Sequence, residues 1–210
     1  MELYLFRHQH WKELYNCNLI DINQVPIEER YHPINGIIII KLFILFEILY
    51  IPCLYSIYKH RELSCYKFLF FIGIIDMLML FVHGLATGIY CFTSEMFCSN
   101  HHFNFIIGTV ATSLFCIETS ANIFLALDRC ADSYFEIENI EQRKWKIIVF
   151  TQVSIIIGLN VSSSLIFFIM QYLPLNKNIL IFQYYVNYFV FGIPPLIYLS
   201  FNKTIRTDMP

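Results

Sequence analysis

The sequence predicts an all-α membrane protein, a polytopic bundle of five transmembrane helices. Its 210 residues are 57 % hydrophobic and only 14 % charged, whereas soluble domains are about 45–50 % apolar and roughly 25 % charged. A soluble domain of this size still exposes a large part of its surface, so it could not hide this much apolar area. Five stretches are apolar over about the 20 residues that a membrane helix needs, and they lack the alternation of membrane β-strands.

Short polar linkers join the five stretches, so consecutive helices are expected to be antiparallel neighbours. We place the spans at residues 34–58, 68–90, 103–127, 147–173 and 179–201. Residues 1–33 are then an extracellular N-terminal tail, and residues 202–210 are a cytoplasmic tail. The start of the chain, MELYLFRHQHWKELYNC, lacks the apolar core of a cleavable signal peptide. The first span is therefore expected to remain in the membrane.

Lys and Arg near the ends of the spans predict the orientation. The loop YKHRELSCYK, the segment after the third span and the C-terminal tail lie on one side of the membrane. Together they carry Lys59, Arg61, Lys67, Arg129, Arg143, Lys144, Lys146, Lys203 and Arg206. The opposite side has only Arg30 and Lys177 close to a span, so the N-terminus is expected outside and the C-terminus in the cytosol. A net charge of −2 offers no basic face to nucleic acid; membrane lipid is the expected surrounding.

Several ionisable residues fall inside the predicted spans. A charged side chain facing lipid costs several kcal/mol, so each should face the bundle or reach an interface. Lys41 lies near the end of its span and can reach the interface, and Glu47 lies on a different face of the same helix. Asp76, His83 and Glu118 either form an ion or proton site, or bond neighbouring helices to each other.

No motif in the sequence indicates an enzyme. We find no GxSxG, no HExxH and no Gly-rich phosphate loop, so no catalytic residue and no cofactor are expected. His101 and His102 are adjacent, but no second pair with ligand spacing accompanies them. A metal site is therefore not expected either.

The seven cysteines divide between compartments in this topology. Cys17, Cys91 and Cys98 lie outside, where disulfides persist, and three cysteines allow one bridge with one thiol left over. We expect Cys98 to be paired, and the sequence leaves its partner open. The other four lie in the bilayer or face the cytosol: Cys53, Cys116, Cys65 and Cys130.

Several segments of the N-terminal two thirds resemble one receptor family. Residues 49–80, LYIPCLYSIYKHRELSCYKFLFFIGIIDMLML, resemble the first cytoplasmic loop and second helix of the nematode serpentine receptors of class T. These are seven-helix chemoreceptors of the rhodopsin-like type. YNCNLI at 15–20 resembles their outer tail, FCSN at 97–100 the outer start of their third helix, and LDRC at 127–130 their form of the Asp/Glu-Arg-Tyr sequence that closes that helix.

The C-terminal segments resemble the last two helices of the same family. KWKIIVFTQVSIIIGLNVSSSLIFFIMQYLP is similar to the sixth helix, and GIPPLIYLSFNKTIR to the seventh. The resemblance implies a truncated rhodopsin-like seven-helix fold without the fourth and fifth helices, in which ADSYFEIENIEQRKWK joins the third helix to the sixth. The loss of two helices keeps both termini on their sides. It also removes part of the G-protein cleft and one wall of the ligand pocket.

The resemblance implies a chemosensory G-protein-coupled receptor-like protein. Asp128 and Arg129, with Pro195 and Tyr198, would form the switch that couples to a heterotrimeric G protein. An unknown small-molecule ligand would enter from outside, between helices lined by aromatic side chains: Phe105, Tyr184 and Tyr188. One alternative is a non-signalling partner of full-length receptors. From another class, the alternative is a small transporter or proton-coupled channel that uses the intramembrane carboxyls.

An Arg129→Ala substitution is expected to leave membrane insertion unchanged, because the orientation depends on the whole pattern of Lys and Arg. Engineered N-glycosylation acceptors, one in the loop at 94–100 and one in the C-terminal tail, report the side that each segment faces. We expect glycosylation of the loop alone, in both the wild type and the variant. Glycosylation of the C-terminal acceptor would contradict the proposed orientation.

Overall fold

The computed structural model describes residues 4, 6–17, 26–62, 64–95, 97–135, 140–170 and 177–201, and within these ranges the chain is helical without strands. Two short helices precede the bundle: α1 (His8–Leu14) and α2 (Ile27–Arg30). The long segments are then α3 (Pro33–Lys59), α4 (Ser64–Leu80), a π-helical turn (Phe81–Ala86), α5 (Thr87–Thr93), a 3₁₀ turn (Phe97–Asn100), α6 (His101–Phe135), α7 (Ile140–Met170), α8 (Lys177–Gly192) and α9 (Pro194–Phe201).

Three helical segments of the described chain are long and apolar enough to cross a membrane: Pro33–Lys59, Tyr66–Thr93 and Cys98–Asp128. They contain the first three predicted spans. In the region of the fourth, α7 has a shorter apolar stretch, Ser154–Ile166. The all-helical class is therefore confirmed, and the count of five spans stays a prediction.

The region predicted as a fifth span, residues 179–201, is divided at Ile193 into α8 and α9. Pro194 and Pro195 have no N–H to donate, and a residue that precedes a proline is driven away from the α conformation. The Ile193 N–H still donates to Phe189 O at 2.9 Å, and the Ile197 N–H donates to Ile193 O at 3.1 Å. The interruption is therefore confined to the proline pair.

The long helices close into a ring. Helix α3 packs on α4, α4 on α6, α6 on α7 and α7 on α8, and α9 returns to α3. We call the end of the bundle at Cys98 the cap end, and the end at Lys59–Glu62 the loop end. Two buried clusters fill the interior. The cluster nearer the loop end includes Cys53, Ile57, Leu125 and Tyr198, and the cluster nearer the cap end includes Phe46, Tyr50, Met79, Tyr188 and Phe191.

Glycines bring α3 and α5 into close contact near the cap end. A Cβ atom at Gly88 would lie 2.5 Å from Ile40 Cγ1, and one at Gly36 would lie 3.0 Å from Cys91 Cβ. Small residues at such positions let the backbones of membrane helices approach each other. This contact holds the second membrane-spanning segment against the first.

A Gly88→Leu substitution is expected to destabilise the bundle by about 1–3 kcal/mol, because the new side chain overlaps Ile40 and forces the helices apart. Gly158→Leu is the matched control, since a Cβ atom at Gly158 meets nothing within 4 Å. Thermal unfolding in detergent micelles, followed by circular dichroism, measures both variants. Equal loss of stability in the two would contradict the close contact.

Candidate functional site

A buried hydroxyl joins three helices at the proline break. Tyr50 on α3 is 1 % exposed, and its hydroxyl lies 2.8 Å from Asp76 Oδ2 on α4 and 2.8 Å from the carbonyl oxygen of Phe191 on α8. In an α-helix the residue at position 195 would donate its N–H to the carbonyl of Phe191, four residues earlier. Pro195 has no N–H to donate. Tyr50 therefore satisfies the acceptor that Pro195 leaves on Phe191.

The two contacts of the Tyr50 hydroxyl limit which atom can donate a hydrogen in each. A tyrosine hydroxyl has one hydrogen to donate and lone pairs that accept. When Tyr50 donates to Phe191, the contact with Asp76 is a hydrogen bond only if the carboxyl carries a proton and donates to the Tyr50 oxygen. The single Tyr50 hydroxyl thus lies between an acceptor on α4 and an acceptor on α8.

The second buried carboxyl, Glu118 on α6, joins α6 to α7. Its Oε1 atom accepts hydrogen bonds from Asn122 Nδ2 and Asn160 Nδ2, each at 2.9 Å. Glu118 is 1 % exposed and lies within electrostatic reach of Asp76. The structure thus brings Asp76 and Glu118 into one buried region, where both bond neighbouring helices.

His83 lies in the π-helical turn after α4. Its ring stacks on Phe191 with a centroid distance of 5.9 Å and an interplanar angle of 9°, and its carbonyl oxygen accepts a hydrogen bond from the Tyr184 hydroxyl. Among the described residues, no three His, Cys, Asp or Glu side chains come together as metal ligands would.

A cavity of about 350 Å³ lies between α4, α6, α7 and α8 on the cap-end side of the carboxyls. Its wall is mostly apolar, and neither Asp76 nor Glu118 lines it. On one side the Ser163 hydroxyl donates to Asn187 Oδ1 and joins α7 to α8. The lining residues are Met79, His83, Gly108, Ala111, Thr112, Phe115, Ser163, Ser164, Asn187 and Phe191.

The aromatic residues expected to line a pocket do not line this cavity. Tyr188 packs against Phe46 in the core, the Tyr184 hydroxyl bonds the His83 backbone, and Phe105 lies at the cap end. Apart from Phe115 and Phe191, most of the wall comes from smaller or polar side chains. A run of small residues along a helix does not by itself indicate a cavity, because such residues equally serve helix packing.

An aromatic cap covers the start of α6. Trp11 on α1 is 0 % exposed; its ring stacks on His102 at 4.9 Å and on His101 at 5.4 Å, and meets Phe105 edge-on at 5.4 Å. A disulfide between Cys17 and Cys98, whose Cα atoms are 5.5 Å apart, holds this segment to α6. Cys91, the third candidate, has a free thiol.

The residues expected to form the G-protein switch lie toward the loop end. Helix α6 continues eight residues past the predicted end of the third span, to Phe135, so Asp128 and Arg129 are helical. Tyr198 is buried and packs in one cluster with Leu125, and Pro195 is buried in α9. The side chains of Arg129, Cys65 and Cys130 lie outside the described residues, as do residues 136–139 of the junction and the tail at 202–210.

A protein-family model described as the serpentine type 7TM GPCR chemoreceptor Srt matches residues 2–138 and 133–210. The chain belongs to the Srt family. The resemblance to class T serpentine receptors is therefore confirmed, and with it the membrane location with several passes. The two matches meet at residues 133–138, where α6 ends. No curated protein and no solved structure matches the chain.

A Tyr50→Phe substitution in this Srt chain is expected to lower the free energy of unfolding by about 1–3 kcal/mol, because it leaves the Phe191 carbonyl buried without a donor. Tyr55→Phe is the matched control, since Tyr55 lies on the same helix and is 65 % exposed. Thermal unfolding in micelles measures both variants.

Asp76→Asn extends this test to the carboxyl. The amide of asparagine can donate to the Tyr50 oxygen as a protonated carboxyl does, so this variant is expected to keep most of the stability. If Tyr50→Phe were as stable as Tyr55→Phe, the hydroxyl would not hold the helices together.

Proposed function

We infer that this Srt-family chain is a chemosensory receptor-like membrane protein that binds a small molecule in the cavity between α4, α6, α7 and α8. The observation that carries this proposal is a cavity of about 350 Å³ inside the helix bundle of a chemoreceptor family. Ligand cavities in proteins are typically mostly apolar with a few polar groups that fix orientation. The walls described above have this composition.

The cap end is proposed to be extracellular, with five helices crossing the membrane, residues 1–33 outside and residues 202–210 in the cytosol. Two observations support this orientation. Lys and Arg are concentrated on the loop-end side of the chain, as cytoplasmic loops are. The Cys17–Cys98 disulfide lies at the cap end, and disulfides persist in extracellular surroundings.

We propose that ligand binding is coupled to a heterotrimeric G protein at the loop end of the bundle. The residues that change position in this proposal are Asp128, Arg129, Pro195 and Tyr198. The proline pair divides α8 from α9, and such breaks are where membrane helices bend. The contact between Tyr198 and the Leu125 cluster joins α9 to the last turns of α6 that precede Asp128. No enzymatic step and no cofactor belongs to this proposal.

Ligand binding is tested by thermal shifts against a panel of small neutral and charged molecules. A ligand at about 100 times its Kd stabilises the folded state by roughly 2.7 kcal/mol. An Ala111→Phe substitution is expected to abolish the shifts, because Ala111 lines the cavity and is 8 % exposed. Val110→Phe is the matched control, since Val110 is the preceding residue and is 42 % exposed.

Shifts that persist in Ala111→Phe would exclude the cavity as the ligand site. With a ligand in hand, nucleotide exchange on added heterotrimeric G protein separates the two roles. Ligand-driven exchange that is lost in Arg129→Ala identifies a signalling receptor. Binding without exchange would contradict signalling through the added G protein and would favour the non-signalling alternative.

A further inference from the structure

We propose that the ligand of this cavity is an uncharged, lipophilic molecule that reaches it sideways from the bilayer, through an opening between α6 and α7. The inference rests on the proposed ligand-binding function and adds the chemical class of the ligand and its route. Three features of the described residues carry it: an opening on the lipid-facing side, a covered cap end and a wall without charge.

The opening is marked by residues that both line the cavity and lie on the outside of the bundle. Gly108 and Thr112 on α6 line the cavity and are exposed, and Ser164 on α7 lines it and is half-buried. A Cβ atom at Gly108 would meet nothing within 4 Å. The cavity therefore opens on the surface of the bundle between these two helices.

This opening faces hydrocarbon rather than water. The third candidate span covers Cys98–Asp128, and Gly108 lies ten residues into it, about 15 Å along the helix axis. Thr112 lies one turn deeper. The hydrocarbon core of a bilayer is about 30 Å thick, so a span of this length, centred in the bilayer, places both residues within it. A molecule that reaches the opening comes from the lipid phase.

The route from the cap end is covered. Phe105 lies three residues before Gly108, on the same face of α6, and its ring packs against Trp11 and Tyr15 of the N-terminal segment. Trp11 is 0 % exposed, and the disulfide from Cys17 to Cys98 holds this segment in place. The aromatic cap therefore lies about one helical turn above the cavity, between its α6 wall and the water.

The wall favours a neutral ligand. None of its described lining residues is Asp, Glu, Lys or Arg, and Met79, Ala111, Phe115 and Phe191 make it largely apolar. The Thr112 and Ser164 hydroxyls donate to carbonyls of their own helices, at 2.8 Å each, which leaves their oxygen lone pairs as acceptors. His83 and Asn187 add polar groups at the far side. The ligand is thus an apolar body with one or two polar atoms.

The volume sets the size of the ligand. A dry cavity of about 150 Å³ accommodates benzene, so a cavity of about 350 Å³ suits a molecule of roughly 10–15 non-hydrogen atoms. Molecules of this size and polarity concentrate in bilayers. The lateral opening therefore gives the site direct access to the phase in which its ligand accumulates.

The test uses the full chain in lipid nanodiscs and two photoreactive probes. Trifluoromethylphenyldiazirine is neutral and lipophilic and has a size in this range, and its benzoate analogue adds a negative charge. Flash photolysis at increasing times after mixing, followed by mass spectrometry, measures labelling of Met79 and Phe191. These side chains are 1 % and 2 % exposed, so lipid alone does not reach them.

We expect the neutral probe to label both side chains saturably and the benzoate to label neither. Gly108→Phe is expected to slow labelling about tenfold, because the new ring narrows the opening. Gly158→Phe is the matched control: Gly158 is equally open to its surroundings and does not line the cavity. Trp11→Ala and Cys17→Ser, which weaken the cap in two different ways, should leave the labelling rate unchanged.

Labelling that is faster in the two cap variants and unchanged in Gly108→Phe would overturn the lateral route while leaving ligand binding in the cavity intact. Saturable labelling by the benzoate would overturn the neutral ligand class. Absence of saturable labelling in the wild type by either probe would overturn this inference, and a parallel lack of thermal shifts would remove the proposed function as well.

Discussion

The carbonyl of Phe191 on α8 is an acceptor that its own helix cannot satisfy. Side chains from α3 and α4 meet beside it. In lipid, a backbone group without a partner costs several kcal/mol, because no water is present to replace the bond. The Tyr50 hydroxyl supplies the donor, and Asp76 holds that hydroxyl from the other side. At the proline break in the last helical segment, the first and second membrane segments therefore supply the side chains that bond the Phe191 carbonyl and hold its donor.

The need of buried polar groups for partners within the protein also applies to the two acidic residues in the core. A path for ions or protons requires carboxyls that reach water on both sides in turn. Asp76 and Glu118 are each 1 % exposed, and they hydrogen-bond side chains of the bundle: Tyr50 for Asp76, Asn122 and Asn160 for Glu118. Bonds of this kind join neighbouring helices in membranes, although Asp76 Oδ1 and Glu118 Oε2 are buried without a hydrogen-bond partner among the described residues.

The sequence was sufficient to predict those features that depend only on residues close together in the chain. Three long apolar runs predicted three membrane segments, because length and hydropathy alone decide whether a helix can cross. The span predicted at residues 179–201 contains Pro194 and Pro195, whose missing N–H groups permit a kink, and the structure divides it there at Ile193. The partner of Cys98 stayed open because it depends on how α1 folds back over α6, through contacts of Trp11 with His101 and His102. The cavity was not predictable either: Ala111, Ser163 and Ser164 line it only because of how four helices are spaced, and no short motif encodes that spacing.

The cavity has an open side between α6 and α7, where Gly108 and Thr112 line it and are exposed. The two family matches overlap at residues 133–138, at the end of α6. On the loop-end side of the cavity, Glu118 and Asn160 bond α6 directly to α7. Thr112 lies six residues toward the cap end, about 9 Å along the axis, and there the cavity reaches the surface. The Glu118–Asn160 bond therefore joins the two helices at one level, and the cavity reaches the surface between them at the next.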